Sequence, residues 1–205
     1  MNQTKKHYHH GDLRQTLLDT ATAIISEGGV DALSMRKLAD HVGVSRTAPY
    51  HHFKDKNALL CAIAEAGFKQ HFEVVSLLPQ QHPQLDKHAL FELYVLSYIR
   101  FADSNPETYD LMFGKEIWKL GQPSEALHAT SRQCFQHWLE WIEVLQTEKV
   151  LTDQHPTLRV AQASWATLHG LCRLLNDGIY VNRDDLEEMG KTAAAMLLKS
   201  PAGAD

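Results

Sequence analysis

Residues 34–53, SMRKLADHVGVSRTAPYHHF, read as two short helices with a tight turn between them. Met35, Leu38, Ala39 and Val42 recur at helical spacing behind Ser34, whose hydroxyl suits an N-cap because it can accept an orphan amide of the first turn. Gly43 ends that helix, since the left-handed conformation of a sharp stop favours a residue without a Cβ, and Val44 plugs the corner. Ser45 then caps a second helix that begins Arg46, Thr47, Ala48, Pro49, Tyr50, His51. Two helices across a short glycine turn make a helix-turn-helix, whose second member lies in the major groove of DNA. Arg46 can meet a guanine edge or a phosphate, Thr47 offers a hydroxyl and a methyl, and Tyr50, His51 and His52 supply backbone contacts. Pro49 stands fourth in this helix and removes about one hydrogen bond, which predicts an irregular first turn or a shifted cap. Its ring would still offer a rigid apolar face to a sugar or methyl. The plainer alternative is an ordinary corner of an all-α protein.

Upstream, Asp12 and Gln15 form a capping-box pattern for a helix whose Leu13, Leu17, Ala21, Ile24 and Ile25 share one face. Gly28 and Gly29 end it, completing a three-helix head. Arg14 reads as an exposed helix charge or a phosphate contact. The first ten residues, MNQTKKHYHH, read either as a basic arm with Lys5, Lys6 and Tyr8 toward phosphates or as a solvated tail. His7, His9 and His10 do not make a metal site there, because a tail has nothing to hold imidazoles in place. Downstream, Lys54 and Lys56 stand at the start of a long helix from about residue 55 to 78, where a lysine and free amides form a phosphate clamp. That helix continues through Leu59, Ile63, Ala66 and Phe72 as a rod between two domains, 1–56 and 57–205, until the loop LLPQQHPQ.

The chain has 205 residues, 44% of them hydrophobic, enough for a small domain joined to a larger one. Net charge is −5, but residues 1–60 carry +2 and the remainder −7, which suits a DNA-facing head on an acidic body. Three scattered cysteines, Cys61, Cys134 and Cys172, fit neither a disulfide framework nor a zinc site and point to a reducing cytoplasm. No apolar run reaches membrane-span length and the N-terminus is polar, so a soluble, unprocessed chain without metal or cofactor is expected.

YHHGDLRQTLLDTA, followed by SMRKLADHVGVSRTAPYHHFKDKNALL, resembles the DNA-binding domain of the TetR family of bacterial transcriptional regulators over about the first sixty residues. Trp165, His169 and Gly170 in SWATLHGLCRLLNDG resemble, over a shorter stretch, the W-H-G signature of one ligand-domain subgroup. The resemblance implies an all-α homodimer, a three-helix head joined by a long helix to a larger helical ligand-binding and dimerisation domain. It also implies a palindromic double-stranded DNA operator, repression, and release by a small-molecule effector. Ser34, Arg36, Ser45, Arg46, Thr47, Pro49, Tyr50, His51 and Lys56 are then the DNA-facing candidates.

In the body, HALFELYVLSYIRFAD (88–103) is apolar nearly all round, as a helix buried on most sides is. Phe91, Tyr94, Tyr98 and Phe101 line one face of it, either as core or as the wall of a pocket. The resemblance brings the pocket reading level with the core reading; Trp118, Trp138, Trp165 and His169 are further ligand candidates, although a lone helix histidine is more often an interior or interface residue. A short helix PETYDLMFG ends at Gly114, EIWKLGQP is irregular or one turn long, and a helix from Ser124 to about Lys149 carries Leu127, Phe135, Trp138, Ile142 and Leu145 inward. Pro156 opens a helix whose Ala161, Trp165, Leu168, Cys172, Leu175 and Ile179 form a seam. A last helix from Asp184 or Asp185 points Leu186, Met189, Ala193 and Met196 inward and is slim at Gly190 and Ala193 to Ala195. These two helices are candidates for a four-helix dimer interface or for packing within one chain. The alternative to a regulator is an all-α enzyme using the aromatic pocket, or a regulator without effector. No nucleophile elbow, HExxH, phosphate loop or nucleotide-binding glycine fingerprint supports catalysis.

Overall fold

Helix succeeds helix because apolar positions recur at three- and four-residue steps along most of the chain. The computed structural model describes residues 13–180, 182 and 185–198. It contains α1 (Leu13–Gly28), α2 (Met35–Val42), α3 (Lys56–Gln81), α4 (Lys87–Ser104), α5 (Pro106–Phe113), α6 (Lys115–Trp118), α7 (Glu125–Thr147), α8 (Thr157–Asn176) and α9 (Leu186–Leu197). Single 3₁₀ turns occupy Val30–Ala32 and Ala48–His51, and the one bridge among the described residues pairs Leu151 with Leu198. The protein is all-α, as expected. Two compact units divide it: one ends at Glu65 and takes in Glu107–Leu127, the other holds Ala66–Pro106 and the chain from His128. The division falls inside α3.

In the first unit, α1 buries Leu17, Leu18, Ala21, Ile24 and Ile25 and packs on α2, which buries Met35, Leu38, Ala39 and Val42. The expected capping residue Asp12 lies outside the described residues, and Gln15 instead donates forward to Asp19 at 2.8 Å. Tyr109, Leu111, Met112 and Ile117 of α5 and α6 are also fully buried.

In the second unit, α4 packs against α8 and α9. Its cap is Asp86, whose carboxylate accepts from the Ala89 amide at 2.8 Å. Three expectations are corrected. First, α3 does not stop at Leu78 but runs through Pro79 to Gln81. A proline this close to the end forfeits only one bond, and the helix stops before Pro83 instead. Second, Ile179 does not belong to the α8 seam: it is 62% exposed, whereas Ala161, Leu168, Cys172 and Leu175 are buried. Third, Met196 of α9 is 81% exposed, and the inward face holds Gly190, Ala193 and Ala194. A Cβ on Gly190 would come within 2.8 Å of the Leu96 side chain, so the slimness of α9 lets it approach α4 of its own chain.

Candidate functional site

The reading head begins with a helix held at both ends. Ser34 is extended (φ −136°, ψ 152°) and its hydroxyl accepts from the Lys37 amide at 3.1 Å, as its position before an amphipathic run predicts. Gly43 takes the left-handed conformation (φ 76°, ψ 32°), and the amides of Gly43 and Val44 both reach the Ala39 carbonyl, at 3.0 and 3.1 Å.

The second element of the head is wound more tightly than an α-helix. Ala48–His51 is one 3₁₀ turn, and Ser45 does not cap its backbone; the Ser45 and Thr47 hydroxyls pair with each other at 3.1 Å. Proline at the second position explains the change, since it cannot donate an i to i−4 bond and its φ suits the first turn. Pro49 is buried, which corrects its reading as an apolar face for DNA: the ring belongs to the core beneath the turn. Ser45, Arg46, Thr47, Tyr50 and His51 are exposed, as are Arg36 and Lys37 on α2. Arg36 Nε lies 4.0 Å from Asp40 Oδ2, an exposed pair too weakly held to occupy the guanidinium.

Lys56 is the second correction. Its ammonium donates to the Val30 carbonyl at 2.8 Å and is half-buried, tying the start of α3 to the turn before α2. The exposed lysine beside it is Lys54. Arg14 likewise lies over the Phe53 ring, 5.2 Å from its centroid. The amide at the start of α3 is also taken, because Asp55 accepts from Ala58 at 2.8 Å.

The second unit gathers rings. Phe91, Tyr94 and Tyr98 are buried on α4; Tyr94 sits 4.8 Å from both Trp138 and Trp141 of α7, and the Tyr98 hydroxyl accepts from the Trp165 indole at 2.9 Å. Trp138 donates to Ala161 O at 3.1 Å and Ser164 Oγ at 3.2 Å, and Trp165 stacks on Phe135 at 5.1 Å. Phe101 joins through His71, at 5.3 Å. Trp118 does not join them: it lies in the first unit, its indole donating to Met112 O at 2.7 Å. His169 is half-buried on α8, and burial with the nearby Arg173 charge lowers its pKa.

Sequence reading passed over His71, Ser76, His137 and Trp141. A cavity of about 60 Å³ is lined by Val75, Ser76, Leu78, Pro79, Leu90, Tyr94, His137 and Trp141. Ala64, Phe68, His71, Val75 and Leu78 are all buried at alternating steps of four and three, so a histidine inside an apolar seam was the available signal. Burial brings the His71 pKa down to about 4 with help from His137, and its Nε2 makes no hydrogen bond. Burial also lowers His137 and raises the Tyr94 phenol far above its ordinary value, so all three are neutral at pH 7. No group of three or more metal-ligating side chains occurs among the described residues.

An exposed turn on a capped helix, set in an all-α chain, defines a helix-turn-helix protein. Two family models match: bacterial regulatory proteins of the tetR family over residues 17–63, and the tetracyclin repressor-like C-terminal domain over 91–197. The chain belongs to the TetR family. It is 49% identical over 51 residues to the tetracycline repressor protein class A from transposon 1721 of Escherichia coli, covering 25% of this chain and 24% of that protein. It is 38% identical over 99 residues to the HTH-type transcriptional repressor AcnR of Corynebacterium glutamicum, covering 48% and 45%. The chain thus spans less than half the length of these curated relatives. Among solved structures, a protein of unknown function from Rhodococcus sp. RHA1 matches at TM-score 0.76 with 28% identity, over 95% of this chain and all of that one. A TetR-family transcriptional regulator from Pectobacterium atrosepticum shares the fold at TM-score 0.72 and 23% identity, over 96% of this chain and all of that one. Among the described residues no helix is long and apolar enough to cross a membrane.

Proposed function

We propose that the chain is a sequence-specific DNA-binding transcriptional regulator, acting as a homodimeric repressor that a small-molecule effector releases from its operator. The observation that carries this reading is the exposed Ser45–His51 turn, braced by the Ser34 cap, left-handed Gly43 and buried Pro49. Arg46, Thr47 and Tyr50 face the base edges and adjacent backbone, with Arg36, Ser45, His51 and Lys54 at phosphates. Residues 1–56 form the reading domain, and residues 57–205 serve effector binding and dimerisation. Relatives described as repressors support the sign of regulation.

The homodimer is supported by the outer face of α8, where Ala163, Ala166 and Thr167 are exposed and an added Cβ on Gly170 meets nothing within 4 Å. Such a slim face admits a second helix closely, and two reading turns give the half-site pair that a single short element lacks. Trp165, His169 and Gly170 fit the W-H-G pattern, with Trp165 bonded into the ring cluster. The test is a titration against the chain's own upstream DNA and a scrambled competitor at two salt concentrations, with molar mass measured alongside. A saturable complex of two or four chains that survives competitor and weakens steeply with salt is expected. Equal loss to both DNAs would contradict the reading.

A further inference from the structure

The reading turn carries a pair of hydroxyls that its own backbone does not use. A serine or threonine ahead of a helix ordinarily accepts a first-turn amide, as Ser34 accepts from Lys37 at 3.1 Å. Thr47 stands at that position before the Ala48–His51 turn, yet its side chain caps nothing. Its Oγ1 pairs with Ser45 Oγ at 3.1 Å instead, and both residues are exposed.

The carbon that carries the Thr47 hydroxyl is held still. Ala48 donates to the Ser45 carbonyl at 3.0 Å, Tyr50 donates to the Thr47 carbonyl at 3.1 Å, and buried Pro49 roots the turn. In threonine a single torsion, χ1, places hydroxyl and methyl together. With Oγ1 turned to Ser45 that torsion is set, and the methyl takes another staggered direction. Magnitudes then choose between the two groups as a reader of bases. Turning the hydroxyl to a base acceptor exchanges one hydrogen bond for another and gains little. The methyl has no bond to give up, and burying it against an apolar group is worth a factor of about four in affinity. In the major groove the apolar group that a base pair offers is the C5 methyl of thymine.

We propose that Thr47 reads the C5 methyl of a pyrimidine, thymine in unmodified DNA, at one base pair of each half-site. Ser45 is the positioning residue that holds the Thr47 hydroxyl aside. The proposal rests on the DNA-binding reading above and names the base feature that one of its side chains recognises.

The intact chain first selects a duplex from a randomised pool, and each thymine of that duplex is then replaced by uracil, which keeps the hydrogen-bonding edge and lacks the methyl. Replacement at one position per half-site is expected to weaken binding about fourfold, and roughly fifteenfold when both half-sites are changed. Thr47→Ser keeps the hydroxyl and loses the methyl, so it should bind the thymine and uracil duplexes equally. Thr47→Val keeps a methyl and loses the hydroxyl, so it should retain the preference. With cytosine at that position, 5-methylation should strengthen binding of the intact chain and not of Thr47→Ser. Ser45→Ala should lower the thymine preference of the intact chain but not that of Thr47→Val. Uracil sensitivity that persists in Thr47→Ser, or that Thr47→Val abolishes, would overturn the proposal, and full preference in Ser45→Ala would remove the positioning role. A selected duplex with no uracil-sensitive thymine leaves the regulator standing and removes the Thr47 assignment; failure to select any duplex removes both.

Discussion

The two compact units handle polar groups in opposite ways. In the reading unit the polar side chains that matter are either exposed, as Arg46, Thr47 and Tyr50 are, or paired, as Ser34 and Lys56 are. Among the described residues, every buried side-chain polar atom left without a hydrogen bond belongs to the other unit: His71 Nε2, Ser76 Oγ and Asn176 Oδ1. A surface that must present one fixed shape to a duplex gains from rigid, satisfied supports. An interior that accepts a guest, as proposed for this unit, would gain from atoms not yet satisfied, at some expense in stability.

Variants sharpen this contrast, beginning with the aromatic core of the second unit. Trp138→Ala removes a 3%-exposed ring and its two indole hydrogen bonds, and is expected to lower stability by about 3–5 kcal/mol in chemical denaturation. Next comes acid. Burial holds the His71 pKa at about 4 against an ordinary 6.5, so the folded chain keeps this imidazole neutral where the unfolded chain takes up a proton. The associated stability is complete above pH 6.5, falls by roughly 3 kcal/mol as pH drops to 4, and levels off below. His71→Leu should remove most of that slope; His137 and His169, shifted the same way, leave a smaller one. A slope unchanged by the variant would mean that His71 is not buried as a neutral group.

The head predictions are smaller and should not change the acid profile. Gly43→Ala meets no atom but must hold φ at 76°, and is expected to lose about 1–2 kcal/mol. Lys56→Met removes a charged hydrogen bond to Val30 and should lower stability by about 1–2 kcal/mol, with little change in the salt dependence of DNA binding. Lys54→Ala should do the reverse: stability is unchanged, and the slope of log affinity against log salt falls by about one. If Lys56→Met changed the slope and Lys54→Ala did not, the two lysines would be interchanged in role.

Local chemistry made much of this legible. The Ser34 cap, the Gly43 stop, the helix 88–103 and the helix after Pro156 each come from a residue type at a fixed offset from an apolar run. The features that stayed hidden depend on contacts between elements distant in sequence. Lys56 reads as a phosphate ligand until Val30, twenty-six residues earlier, is seen to accept from it. Pro49 signalled an irregular turn, yet its burial depends on the packing beneath. His71 was masked for a similar reason: its place in the Ala64–Leu78 seam marks burial, but only packing against Tyr94, Tyr98 and Phe101 shows that no partner waits for it. The outward turn of Met196 results from the approach of Gly190 to α4, which a helix of small residues permits but does not announce.

The most direct measurement is a selection of DNA from a randomised duplex pool by the intact chain and by Arg46→Ala, at matched salt. Enrichment of a two-fold symmetric sequence by the intact chain is predicted, with the preference relaxed at one base pair per half-site in the variant while the remainder of the motif persists. No enriched sequence, or an identical motif and affinity with both proteins, would contradict the placement of the Ser45–His51 turn on DNA.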